Sequence, residues 1–298
     1  MLKRVSLLLL VLFISNLTAQ NPKPDWDDWD DDWIDFRFDY SFGKSPYLEL
    51  NYGLGELKLK DYNEKYAKTS LLELRLGYRS VDDYYEDYII KVRDNYSFVQ
   101  FSSPELRTKD LKNSELNVEH WQFGFGFLKG YGYKIGNFSI TPFTDFNVNW
   151  TKLDYKNISD YSLFYLGNFN RTINTEPIDL YKDSFRFGTT NSVGVKLEIA
   201  ERISFNGSYD MSVVYPRHLF WKNTGSLITE AIGIGFVDYF VDEVMNSTPE
   251  AAPILNALLK GGVSYAFFSL RKDNMNWPFG GVNPITYENF RIGLTFTF

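Results

Sequence analysis

Residues 290–298 read Phe290-Arg291-Ile292-Gly293-Leu294-Thr295-Phe296-Thr297-Phe298. Every second residue is large and apolar, and Arg, Gly and Thr lie between them. A period of two sends successive side chains to opposite faces of an extended chain, so the stretch predicts a β-strand with one apolar and one polar face. On a helix, at about 100° per residue, the same apolar residues would scatter to both sides of the axis.

The same alternation recurs upstream. Ile34, Phe36, Phe38, Tyr40 and Phe42 alternate with Asp35, Arg37, Asp39 and Ser41, and a tight turn is expected at Gly43–Pro46. Leu48, Leu50, Tyr52 and Leu54 oppose Glu49, Asn51, Gly53 and Gly55; Leu72, Leu74, Leu76 and Tyr78 oppose Glu73, Arg75, Gly77 and Arg79. Further strands are predicted around Trp121–Phe127, Phe146–Trp150, Val193–Leu197 and Ile203–Met211.

What occupies the two faces separates a membrane barrel from a soluble sandwich. A soluble sandwich carries charge outside and aliphatic residues inside. Here the apolar face is broad and aromatic, while the other holds Gly, Ser, Thr, Asn and charges of both signs. That division suits a lipid-facing exterior and a polar lumen. The composition agrees, with 21 Tyr, 26 Phe and 18% aromatic residues overall. Pro142 and Asn191 break the pattern by falling on the apolar face, which predicts a bulge there or a register shifted by one.

Residues 1–19 carry Lys3 and Arg4, an apolar run from Leu7 to Leu17, and Ala19, the layout of a cleaved secretory signal peptide. Residues 20–32 form an acidic lead-in that holds Asp25, Asp27, Asp28, Asp30, Asp31 and Asp32 among tryptophans. Residues 33–298 are then expected to form one transmembrane antiparallel β-barrel of about ten strands, within a range of eight to twelve. Turns near Gly130–Gly136 and Ala200–Arg202 are short and are assigned to the periplasm. The long segments at 80–115 and 152–184 are assigned to the outer side. Two regions fit the scheme less directly. Residues 84–101 suit an additional membrane hairpin or an outer extension of the strands. A helical element is expected near residues 226–260. Within it, Pro249–Lys260 has the look of a helix begun by Thr248 and ended by Gly261. Ile232–Phe236 and Val263–Leu270 read as strands that would bring the count to ten. A helical pair over 226–260 would instead lie in the last outer loop or plug the lumen.

The C-terminal strand carries a resemblance. With Phe290, Ile292, Leu294, Phe296 and Phe298 ending on an aromatic residue, it resembles the assembly signal of Gram-negative outer-membrane β-barrel proteins. The resemblance implies export to the cell outer membrane, contact with the barrel-assembly machinery during biogenesis, and outer-membrane lipids as surroundings. It selects no subfamily.

The candidate chemistry is sparse. Glu49, Glu73, Arg75, Arg79, Asp145, Arg186, Lys196, Asp210 and Arg291 share the polar faces and are expected in the lumen. They either line a pore or pair within a closed interior, and balanced signs in a narrow barrel favour pairing. The Asp25–Asp32 cluster suits a docking segment for an outer-membrane or periplasmic protein partner, or a Ca²⁺ ligand set, although its spacing is no EF-hand. Most runs of this kind are solvated tails. His120 and His218 are the only histidines and the weak candidates for a catalytic base, with surface or rim positions the plainer expectation. The chain has no cysteine, which excludes thiolate metal sites and disulfides, and no cofactor motif is present. A net charge of −7 argues against nucleic acid. The resulting expectation is a non-catalytic structural or accessory barrel that docks a partner. A narrow channel for small solutes and an outer-membrane lipid-modifying enzyme are the alternatives.

Overall fold

The computed structural model describes residues 45–60, 66–85, 88–107, 116–156, 176–182, 184–200, 202–217 and 219–298. The expected signal peptide, the acidic lead-in, the strand expected over 34–42 and His218 lie outside these residues.

Eight antiparallel strands close on themselves in sequence order: β1 (Ser45–Leu59), β2 (Thr69–Tyr85), β3 (Ile89–Ser103), β4 (Asn117–Ile135), β5 (Phe138–Lys156), β6 (Arg186–Ala200), β7 (Ile203–Val214) and β8 (Ile285–Thr297). The last strand pairs with the first in unbroken register from Tyr47↔Thr297 to Leu59↔Ile285, so among the described strands no ladder edge is left open to lipid. Eight is the lower end of the expected range. Ser45 and Pro46, expected in a turn, instead begin β1.

The alternation dictates the wall. Glu49 and Asn51 are buried within it while Leu50, Tyr52 and Leu54 are exposed, and β2, β4 and β7 repeat the arrangement. Phe290 and Ile292, 70% and 67% exposed, show the outer face at its barest. Near one rim, aromatic rings pass from strand to strand. Phe123 stacks on Trp150 at 5.7 Å, Trp150 meets Phe187 at 6.1 Å, and Phe187 stacks on Tyr215 at 5.7 Å. Such belts sit where hydrocarbon gives way to water.

The short links at residues 86–88, 136–137 and 201–202 share one end, and Gly136 turns there at φ 61°, a conformation that favours glycine. Long connections at 60–68, 104–116, 157–185 and 215–284 share the other. By the usual asymmetry of bacterial barrels the first end is periplasmic and the second faces outward. The segment 80–115, assigned to the outer side, is corrected to wall over most of its length: its first residues complete β2, and residues 89–103 build β3.

Between β7 and β8 the chain forms a helical hairpin. After the short helix α1 (Glu176–Asp179) in the preceding connection, α2 (Phe220–Ser247) descends, a 3-10 turn at Pro249–Ala251 reverses the chain, and α3 (Ala252–Asp273) returns. The strand readings of Ile232–Phe236 and Val263–Leu270 are therefore corrected to helix. Ile232 and Phe236 belong to a series with Ile228 and Phe240, one residue in four, which a short window mistakes for alternation because Gly233 and Gly235 fall between. Nor does Gly261 end the second helix. It lies inside α3, where a Cβ would stand 2.6 Å from Val193 Cγ2 on β6. Gly261→Leu is expected to cost roughly 1–3 kcal/mol by overpacking this contact, seen as a lower urea midpoint of the refolded protein.

Candidate functional site

Val193 belongs to the outward-facing set of β6, so its contact with Gly261 places the hairpin outside the barrel. The hairpin neither plugs the lumen nor stays in the outer loop. It runs down the lipid-facing wall. Phe268 packs on Met211, Val213 and Tyr215, and at the far end Val241, Met245 and Ala252 pack on Ile89 and Tyr131. Ile89 opens β3 just past the 86–88 turn, and the Glu250 carboxylate accepts from Tyr88 Oη at 3.4 Å, so the tip of the hairpin reaches the periplasmic rim.

The surface between wall and hairpin is polar. Asn191 Nδ2 donates to Glu230 Oε1 at 3.0 Å, Glu230 pairs with Arg271, and Arg271 Nε and Nη2 donate to Ser226 Oγ and its carbonyl, each at 3.0 Å. Lys260 pairs with Asp238 across the two helices. Asn191 thus does lie on the outer face in regular pairing with Met211 and Phe146, as does Pro142 opposite Val195, with neither a bulge nor a shifted register. The expected irregularity is absent because Asn191 meets a helix instead of hydrocarbon.

The lumen is the second polar site, and its residues come from seven strands. Arg75 on β2 donates to Glu73 at 2.6 Å and to Asp145 on β5 at 2.9 Å, with Glu49 on β1 at 3.7 Å. Arg291 on β8 reaches Glu73 at 2.9 Å, Asp210 on β7 at 3.3 Å and Asp145 at 3.6 Å. Asp94 on β3 takes two parallel bonds from Arg79, both 2.9 Å, and one from Lys196 on β6 at 2.6 Å. Asn51 Nδ2 donates to both Glu49 and Glu73 at 2.9 Å, and Tyr96 Oη donates to Asp145 at 2.6 Å. The Arg75 guanidinium also lies 4.1 Å from the Tyr96 ring centroid. These ionic groups are almost fully enclosed, at 1–4% exposure. An eight-stranded barrel has an interior about as wide as its side chains, and here they fill it with charge-assisted bonds.

Apolar layers close both ends of this network. On the outer side, Leu57, Leu71, Leu116, Leu153, Ile178, Tyr181 and Ile285 form one cluster. Burial pushes the Tyr181 hydroxyl above the ordinary tyrosine range; it stays neutral, accepting from Ile285 N–H at 3.0 Å and donating to the Val214 carbonyl at 3.4 Å. On the periplasmic side, Ile90, Val92, Leu128 and Phe143 pack together.

Of the lumen charges expected from the sequence, Glu49, Glu73, Arg75, Arg79, Asp145, Lys196, Asp210 and Arg291 come together. Arg186 instead sits half-buried at the outer rim, close enough to act on Tyr181. Asp94 was missed, although Asp94, Tyr96, Phe98 and Gln100 alternate like the rest. His120 is no rim residue. It is 2% exposed, inside the lumen, edge-on to Tyr287 at 4.9 Å and 3.4 Å from Gln100 Nε2. The assembly-signal residues Phe290, Ile292 and Phe296 face outward on β8, and Phe298 N–H closes onto the Pro46 carbonyl at 2.9 Å.

No protein-family model matches the sequence, and no curated protein matches it. Among solved structures, Neisserial surface protein A is similar, at 10% identity over 85% of this chain and 97% of that one, with a TM-score of 0.36. Ail, the attachment invasion locus protein of Yersinia pestis, follows at 6% identity, 86% and 100% coverage and a TM-score of 0.31. The outer membrane protein OprG of Pseudomonas aeruginosa shows 11% identity, 86% and 96% coverage and a TM-score of 0.29. The wall itself assigns the class: with an apolar aromatic band around a polar interior, and short turns at one end against long loops at the other, this chain has the architecture of an eight-stranded transmembrane β-barrel.

Proposed function

We propose that the protein is a non-catalytic, non-conducting barrel that works through its surfaces, as a structural or accessory component of the outer membrane that docks a protein partner. The observation that carries this reading is the filled lumen, with cations and carboxylates paired across the bore and apolar layers above and below them. A solute path would have to break several buried ion pairs at once, so the narrow-channel reading is disfavoured. Lipid chemistry at His120 is disfavoured as well, because the ring is sealed from both solvent and bilayer.

The folded protein is expected to give no unitary conductance steps in a planar lipid bilayer. Steps of reproducible amplitude would overturn the closed-lumen reading. Docking has its own test. Purified from outer membranes in mild detergent, the full chain is expected to carry a stoichiometric protein partner that is lost when residues 21–32 or the outer connection 157–175 is deleted. Recovery of the barrel alone would remove the accessory role.

A further inference from the structure

The hairpin is built with its polarity reversed. In a water-soluble helix the buried stripe is apolar and the exposed face charged. Here the buried face holds Asn223, Ser226, Glu230, Asn256, Lys260 and Arg271 beside a few apolar residues such as Val241, Met245 and Phe268. The exposed residues of α2 between Asn223 and Phe240 are Ile228, Ile232, Phe236, Tyr239 and Phe240. On α3, none of the exposed residues from Ile254 to Leu270 carries a charge or an amide.

Among the described residues no helix is long and apolar enough to cross a membrane by itself. The pair meets that difficulty by turning its ionic groups toward each other and toward the wall, as Glu230–Arg271 and Lys260–Asp238. The exposed charges of α2 fall at its ends, Lys222 at the outer rim and Asp242 and Glu243 near the periplasmic tip. At about 1.5 Å per residue the apolar face runs roughly 18 Å along α2 and 24 Å along α3. That compares with an apolar band about 25 Å tall in outer-membrane barrels. The hairpin also replaces lipid along one side of the barrel, while the wall around Leu50, Leu72 and Ile292 stays bare and apolar at the same depth.

We propose that α2 and α3 form an intramembrane helical hairpin, entering from the outer side and returning to it, whose exposed face is covered by the acyl chains of the bilayer. The occupant follows from continuity. The exposed face of the hairpin extends the lipid-facing band of the barrel and has its height and its lack of charge. The barrel thereby presents a helical lateral face to the membrane on one side and a strand face on the other. This inference does not depend on whether the lumen conducts.

The absence of cysteine makes the test direct. Single-cysteine variants Phe236→Cys and Leu258→Cys sample the hairpin, Leu50→Cys the bare wall and Lys68→Cys an outer loop. Each full-length variant carries an environment-sensitive fluorophore and is refolded in phosphatidylcholine vesicles. Folding is checked by the faster migration of the unheated barrel in SDS gels. Acyl chains brominated near mid-chain are expected to quench the labels at 236 and 258 to the same fraction as at 50, with the label at 68 unaffected. Aqueous iodide is expected to reverse that order. Iodide quenching at 236 and 258 would overturn the proposal by placing the hairpin in water. Protection from both quenchers would overturn it too, by showing that a protein, whether a second copy or a partner, covers the face.

Discussion

Asp94→Ala is expected to destabilise the folded barrel by roughly 3–5 kcal/mol, the usual cost of removing one partner from a buried ion pair. Asp94 accepts from Arg79 twice and from Lys196 once. Without it, Arg79 keeps a 3.3 Å bond to Ser204 and the Tyr47 ring 5.2 Å away, and Lys196 keeps Glu49 at 3.8 Å. Arg79 would then lie without a carboxylate, and Lys196 with one distant carboxylate, between apolar layers that exclude water. The measurement is urea unfolding in detergent micelles, followed by tryptophan fluorescence. A double replacement, Arg79→Leu with Asp94→Leu, should cost less than Asp94→Ala alone, because it removes Arg79, the cation left with no carboxylate, and leaves only Lys196 beside Glu49. An unchanged midpoint for Asp94→Ala would mean that the lumen is hydrated and its ion pairs contribute little.

Arg271→Ala should release the hairpin from the wall while leaving the barrel intact. Arg271 is 1% exposed and holds Glu230 and Ser226 together on α2, and Glu230 in turn holds Asn191 on β6. Truncation leaves a carboxylate between a helix and an apolar wall with one amide for company, again about 3–5 kcal/mol, here concentrated on docking of the hairpin. The eight-strand ladder does not pass through these residues, so SDS resistance of the unheated barrel should persist. Protease should cut within 220–273 in the variant at concentrations that leave the parent whole. Adding Glu230→Gln should restore much of the protection, since glutamine can still accept from Asn191 without carrying charge. Equal resistance in parent and Arg271→Ala would show that apolar contacts such as Phe268 on Met211 hold the hairpin by themselves.

The two polar sites differ in how far the sequence alone reveals them. Most of the lumen network was legible, because a strand face is a local property: Glu73 and Arg75 declare their side by their spacing from Leu72 and Leu74. Asp94 is not legible in this way because residues 84–101 suit both a membrane hairpin and an outer extension of the strands, and a face has no meaning until its segment is placed. The hairpin interface was legible only as an anomaly. Asn191 stood on the wrong face for lipid, and nothing nearby in the chain supplied its partner, which lies 39 residues away at Glu230.

By itself, the sequence determined the barrel. Its period of two, the aromatic content of one face and the small polar content of the other make a closed wall in lipid the arrangement that satisfies every backbone group while burying the right side chains. Tertiary structure alone decided the strand number and the place of the helices. A run such as Ile232-Gly233-Ile234-Gly235-Phe236 satisfies both a period of two and a period near four. The choice is made by what lies opposite: here Val193, Asn191, Met211 and Tyr131 on the outer wall, against which the hairpin turns Gly261, Phe268 and the paired Glu230 and Arg271.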